Sequence, residues 1–396
     1  MSALSDGETL IQNYLDSDDT HQMLSALKKL KIEFNITENK DILIKGCNHK
    51  FLNRNAKLSL GNAGTAFRPL TAVLAIMGGK YYLKGISRMH ERPIKDLVDA
   101  LTQIGAKIDY IDNPGYPPLK ISPGNIMCKK NIKIKGNVSS QYLTALLIAG
   151  PLCNQDLKIQ IIGDLISKPY INITLKLLSK FGIKYKNNKW RNFALRSSSL
   201  FKSPKKIKVE GDASSASYFF AAGAIGGSVE VSNINKSSIQ GDLEFLKIIK
   251  KMGANIEYFS NSIKVSKKSQ LLGMVIDCKD IPDAAMTLAI LALFAKGSTT
   301  LNSIASWRIK ETDRILAMET ELKKLGASVK TTKNSITIKP PKFINNNIII
   351  DTYDDHRMAM CFSLVCLADK NVVINDPECT NKTYPNFFKD FGSIIY

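Results

Sequence analysis

The residues with chemical potential in this chain sit where apolar stretches begin. Five runs open on polar first turns: Gly64-Thr65-Ala66-Phe67-Arg68, Ser139-Ser140-Gln141-Tyr142, Ala213-Ser214-Ser215-Ala216-Ser217, Pro282-Asp283-Ala284-Ala285-Met286 and Asp354-Asp355-His356-Arg357. A polar residue ahead of an apolar helix caps free backbone N–H groups. Helices too apolar to be peripheral that all begin this way also offer positive ends for anions. Cations accompany them: Arg68, Arg92, Lys310, Arg314, Arg357 and Lys382. Arg68 and Arg357 lie within otherwise apolar helices, where an unpaired charge is costly. Asp283 opens one helix, and the run Trp307 to Arg314 places Lys310 and Arg314 four apart, as on one helical face, with Glu311 beside them. A salt-bridged helix start and a carboxylate held among cations, able to exchange a proton with a reacting group, fit this spacing equally. No Ser-His-Asp order, phosphate loop or metal-ligand spacing emerges, and His21, His49, His90 and His356 lie far apart in sequence.

These residues are positioned by a repeat. A helical run ending in glycine, followed by strand, turn and strand, recurs at Gly105, Gly182, Gly253 and Gly326; Lys31 occupies the same slot 74 residues before Gly105, and Gly392 follows 66 after Gly326. Glycine there takes a left-handed cap without steric cost. Strands are expected ahead of these helices at Tyr81 to Leu83, Leu157 to Ile162, Ser228 to Val231, Thr299 to Asn302 and Val372 to Ile374. The chain therefore reads as six related units of roughly 70 residues, three to a domain, with the boundary at 208/209. Ser2 to Gly7 reads as the tail of a helix whose front is absent, so the first unit is expected to be clipped.

Composition narrows the class. With 396 residues, 44% of them apolar, the chain has core enough for two or three domains. Its apolar stretches fall short of the ~18 to 20 residues a membrane helix needs. Seven cysteines, at 47, 128, 153, 278, 361, 366 and 379, form no close pair in sequence, which fits a reducing cytoplasm. The net charge of +20 is compatible with nucleic acid, anionic lipid or phosphorylated small molecules. The lysines are scattered among Asn and Ile with little aromatic interleaving, so solvated surface lysine is the plainer reading, and no nucleic-acid or membrane partner is expected.

The blocks Leu60-Gly61-Asn62-Ala63-Gly64-Thr65-Ala66-Phe67-Arg68-Pro69-Leu70, Glu91-Arg92-Pro93-Ile94, Val138-Ser139-Ser140-Gln141, Gly211 to Tyr218, Ile281 to Met286, Lys310-Glu311-Thr312-Asp313-Arg314 and Asp355-His356-Arg357-Met358-Ala359-Met360 resemble, in order and across the whole chain, the 5-enolpyruvylshikimate-3-phosphate synthase family. The resemblance implies an α/β fold, a two-lobed inside-out α/β barrel. Each lobe, 1–208 and 209–396, would hold three βαβαββ units around buried parallel helices. It implies transfer of the enolpyruvyl group of phosphoenolpyruvate to the 5-hydroxyl of shikimate 3-phosphate with release of phosphate, in the shikimate pathway to chorismate and the aromatic amino acids. No metal or organic cofactor is implied, and a cytoplasmic monomer is expected.

Matched residue by residue, Asp283 takes the hydroxyl proton and Glu311 donates to the phosphoenolpyruvate carbon. Ser139, Ser140, Gln141, Ser167, Tyr170, Asp283, Ser306 and Lys310 match positions that bind shikimate 3-phosphate; Ser306 stands where the family usually has Asn. Gly64, Arg92, Gln141, Arg314, Arg357 and Lys382 match the phosphoenolpyruvate site, supported by Asn62, Thr65, Arg68 and His356. Gly64 implies sensitivity to glyphosate, which a larger side chain there should exclude. The family's opening Pro-Gly-Ser-Lys-Ser helix is not in this sequence, and the alternative reading is a remnant that binds ligand or partner with little or no turnover. The related UDP-N-acetylglucosamine enolpyruvyltransferase fits the 310–314 and 355–360 blocks less well.

Overall fold

A computed structural model describes residues 1–128, 131–197 and 199–395. The chain divides into two compact units, Met1–Val209 and Glu210–Tyr396, each with its own apolar core.

In the first unit the repeat is seen twice in full. Strands Asn55–Ser59 and Lys80–Lys84 run parallel, joined by the Gly64–Met77 helix, and the Lys95–Thr102 helix leads into the antiparallel strands Lys107–Tyr110 and Leu119–Ser122. Strands Ile132–Lys135 and Leu157–Ile162 repeat this around the Ser140–Ala149 helix, followed by the Lys168–Lys180 helix and strands Tyr185–Asn188 and Asn192–Leu195. The Gly64–Met77 and Ser140–Ala149 helices pack side by side and are buried on most of their surface, as helices apolar all round must be. In the remaining sheet, strand Glu8–Gln12 pairs antiparallel with Ile42–Lys45 and parallel with Lys206–Lys208, Leu10 opposite Lys206. Ser2–Leu4, within the segment read as the tail of a helix, is a buried 3-10 turn.

The second unit packs the buried helix Ala285–Leu291 against both Ala213–Gly226 and His356–Ser363. Strands Val275–Asp277 and Thr299–Asn302 run parallel, as do Ile348–Ile350 and Val372–Ile374. The expected strand positions coincide with Leu157–Ile162, Thr299–Asn302 and Val372–Ile374 and fall within Lys80–Lys84 and Ser228–Ser232. Gly105, Gly182, Gly253 and Gly326 have φ of +94°, +78°, +123° and +90°, the left-handed cap read from sequence, and Lys31 in the same slot has φ +64°. Gly392 differs: it is the last residue of the Phe387–Gly392 helix and takes no left-handed turn. No helix among the described residues is long and apolar enough to cross a membrane.

Candidate functional site

In the second unit, the polar first turns at Asp283 and at Asp355 to Arg357 meet in one ionic network. Asp313 caps the Arg314–Lys324 helix, its Oδ1 accepting from Ile315 N at 3.1 Å and Leu316 N at 3.2 Å. The helix therefore starts at Arg314, and Lys310 lies ahead of the cap in extended backbone. The expectation that Lys310 and Arg314 share a helical face is thus corrected: they approach through a turn. Arg314, 1% exposed, is held by three carboxylates. Its Nε and Nη2 donate to Asp355 at 2.7 and 3.2 Å, Nη2 to Glu311 at 2.9 Å and Nη1 to Asp283 at 2.9 Å. These four bonds engage four of the guanidinium's five N–H groups. Asp283 also lies 3.4 Å from Lys310 Nζ and 3.4 Å from Arg357 Nη2, while Lys382 Nζ donates to Glu311 at 2.8 Å. Arg357 Nη1 donates to the Tyr218 hydroxyl at 3.2 Å, and Trp307 Nε1 to the Pro282 carbonyl at 2.6 Å, which pins the turn before Asp283.

Four cations thus surround Asp283, Glu311 and Asp355. Burial pushes the Asp283 carboxyl up, but Arg357, Lys310 and Arg314 outweigh it and hold it below the usual carboxylate range. Asp355, buried against Arg314, is held low in the same way, and Arg314 is raised by its carboxylates against the cost of burial. Removing one member of so buried a network leaves its partners uncompensated, at a cost of roughly 3–5 kcal/mol. Asp283 keeps 19% of its side chain open to solvent, so a ligand can reach it.

The first unit builds its own cationic corner. Arg92 Nη1 donates to the Asn62 carbonyl and to Asn62 Oδ1, both at 3.0 Å, ahead of the helix that begins at Gly64. Thr65 Oγ1 donates to Asp19 at 3.0 Å. A Cβ on Gly64 would overlap the Arg68 guanidinium and come within 3.1 Å of Arg92 Nη2, so a larger residue there acts by displacing these two buried cations. Ser139 caps the Ser140–Ala149 helix, its Oγ accepting from Gln141 N at 3.3 Å. One residue on, the Tyr142 hydroxyl donates to the Pro93 carbonyl at 2.6 Å, which ties this helix start to the Arg92 loop. Ser167, buried with φ +54°, leads into the Lys168–Lys180 helix that carries Tyr170.

An EPSP synthase (3-phosphoshikimate 1-carboxyvinyltransferase) family model matches residues 1–391. The chain belongs to the EPSP synthase family. It is 51% identical over 402 residues to the 3-phosphoshikimate 1-carboxyvinyltransferase of Paraburkholderia phytofirmans and 51% over 400 to that of Nitrosomonas europaea, covering 100% of this chain and 92% of each relative. In fold it is similar to an EPSP synthase from Acinetobacter baumannii, with TM-score 0.81 and 24% identity over 99% of this chain and 91% of that one. It is also similar to the enolpyruvyl transferase NikO from Streptomyces tendae, with TM-score 0.78 and 13% identity over 99% and 90%. The fold class is therefore that of EPSP synthase, a two-domain α/β architecture.

Of the residues singled out by the EPSP synthase resemblance, Asp283, Lys310, Glu311, Arg314, Arg357 and Lys382 fall in one network of the second unit. His356 is buried beside it, its Nδ1 3.6 Å from Asp355. Ser306 lies in the adjoining Ala305–Ile309 turn. Asn62, Gly64, Arg68 and Arg92 gather in the first unit, with Ser139, Ser140 and Gln141 on the neighbouring helix start and Ser167 and Tyr170 at the next. Sequence reasoning left out Asp355 and Tyr218. Asp355 carried a signal, being the acid directly ahead of an apolar helix; Tyr218 lies inside an apolar run and carried none.

Proposed function

We propose that this chain transfers the enolpyruvyl group of phosphoenolpyruvate to the 5-hydroxyl of shikimate 3-phosphate and releases phosphate, acting as a cytoplasmic monomer without metal or organic cofactor. The observation that carries the reading is the pair Asp283 and Glu311, two carboxylates bridged by the buried Arg314 and ringed by Lys310, Arg357 and Lys382. Family membership supports it.

Glu311 donates a proton to the methylene carbon of phosphoenolpyruvate, which makes the adjacent carbon electrophilic. The 5-hydroxyl oxygen attacks that carbon while Asp283 takes the hydroxyl proton, giving a tetrahedral ketal. Elimination breaks the carbon–oxygen bond to phosphate, removes a methyl proton and restores the double bond, with the two carboxylates exchanging roles. Arg92, Arg314, Arg357 and Lys382, with Gln141 and the Gly64 backbone, hold the phosphate and carboxylate of phosphoenolpyruvate. Ser139, Ser140, Gln141, Ser167, Tyr170, Ser306 and Lys310 hold shikimate 3-phosphate, while Asn62, Thr65, Arg68 and His356 support these groups.

Asp283 is a weak base because three cations face it. Bound anions draw on those same cations, so its basicity rises when both ligands are present. Phosphate release with both substrates, compared with an Asp283→Ala variant, tests the reading. The variant is expected to lose ~100-fold or more of the rate. Equal rates would remove Asp283 from the role of base, and a folded wild-type sample that releases no phosphate would refute the transfer reading.

A further inference from the structure

Asp355, which grips Arg314 at two points, is carried by a short loop with an unusual backbone. Tyr353 and Asp354 have φ of +56° and +54°, two consecutive left-handed residues of which neither is glycine. Such a conformation is strained for a residue with a side chain and persists only where its surroundings over-determine it. Asp355 caps its own helix, accepting from Arg357 N at 2.9 Å, and Asn375 holds Asp351 at 2.8 Å; the remaining side-chain anchors come from one helix. Arg314 and Glu321 stand seven residues apart on the Arg314–Lys324 helix, two turns or about 10 Å along one face. The loop is fastened at both places. At one end Asp355 binds Arg314; at the other the Tyr353 hydroxyl donates to Glu321 Oε1 at 2.7 Å and Asp351 N to Glu321 Oε2 at 3.2 Å. Lys324 Nζ closes this second anchor, 2.8 Å from both Glu321 and Asp351.

Glu321 is fully buried beside Met318 and Leu322, where an apolar side chain would ordinarily serve stability better. Its carboxylate is spent on the loop. We infer that Glu321 and Tyr353 are positioning residues for the proposed enolpyruvyl transfer: they fix the loop that sets Asp355, and through Asp355 the guanidinium between Asp283 and Glu311. This rests on the function proposed above.

The test compares wild type with Tyr353→Phe, Glu321→Gln and Glu321→Ala. Three quantities are measured: kcat and KM for phosphoenolpyruvate per folded molecule, inorganic phosphate affinity by calorimetry, and the melting temperature. Tyr353→Phe, which removes one hydroxyl, is expected to lower kcat/KM ~10-fold, since small misplacements of catalytic groups are costly. It should also weaken phosphate binding several-fold, with little change in melting temperature. Glu321→Gln keeps an acceptor for the Tyr353 hydroxyl but turns an NH2 towards Asp351 N and Lys324, so its loss should be smaller than that of Glu321→Ala, which should match or exceed the loss in Tyr353→Phe. The double change Tyr353→Phe with Glu321→Ala should add little to Glu321→Ala, as for two members of one contact.

Wild-type kcat, KM and phosphate affinity in Tyr353→Phe would overturn the inference, and so would a loss that follows only the unfolded fraction. If Glu321→Ala does not fold, Tyr353→Phe alone decides. A wild type that binds phosphate but does not turn over would refute the transfer reading and leave the binding comparison to decide the positioning.

Discussion

His356 is buried, and its ring carries a pH dependence that its neighbours do not cancel. Burial lowers its pKa to about 3 from the ordinary 6.5; Asp355 and Glu311 pull upward while Arg357 and Lys382 add to the lowering. Between those two values the unfolded chain holds a proton on this ring that the folded chain does not. Stability therefore rises with pH across the window and is lost on acidification, by up to ~1.4 kcal/mol per pH unit. Asp283 and Asp355, both held low, add a further loss once the pH falls below the ordinary carboxylate value of 3.8. The expected outcome is a melting temperature that declines from pH 6.5 towards 4.5 and a shallower decline in His356→Asn. An unchanged slope in the variant would assign the effect elsewhere. At this scale the sequence was readable where a residue announces itself by its neighbours in the chain, as Asp283 and Lys310 do. The pairings were not readable where the partner is remote: Asp355 stood out as an acid ahead of an apolar helix, but Arg314, its partner, lies 41 positions away, and Tyr353 meets Glu321 across 32.

Among the elements, the five repeated helix ends offer an internal comparison. Four turn on glycine, while Lys31 takes φ +64° with a full side chain. Left-handed backbone costs a non-glycine residue roughly 1–2 kcal/mol, and glycine returns ~0.5–1 kcal/mol of that as extra chain entropy when unfolded. Lys31→Gly should therefore stabilise the protein by about 0.5 kcal/mol, read as a higher denaturation midpoint in urea with unchanged slope; a lower midpoint would show that the lysine makes a compensating contact. Helix ends were legible because glycine is conspicuous and the capping geometry is local. Helix starts were less so. The 307–314 run has the charge spacing of one helix, yet the structure breaks it at Asp313, whose carboxylate satisfies two backbone donors. Spacing alone does not distinguish a charged helical face from a cap with residues folded back beside it.

Over the whole molecule, charge is unevenly shared. Of 55 basic and 35 acidic residues, 33 and 15 fall in Met1–Val209, so about +18 of the +20 belongs to the first unit and +2 to the second. With two anionic substrates, this field should speed encounter. We expect kcat/KM to fall several-fold as salt rises from about 10 to 150 mM, over which the Debye length shrinks from about 30 to 8 Å, with kcat nearly constant. A salt-independent kcat/KM would exclude steering. The pairing of strand Glu8–Gln12 with Lys206–Lys208 bears on synthesis. Until residue 208 has left the ribosome, one side of that strand stays a bare edge, an invitation to wrong pairing. At ~5–20 residues per second the wait is about 10–40 s, so the nascent first unit depends on chaperone cover longer than a unit closed by its own neighbours in sequence.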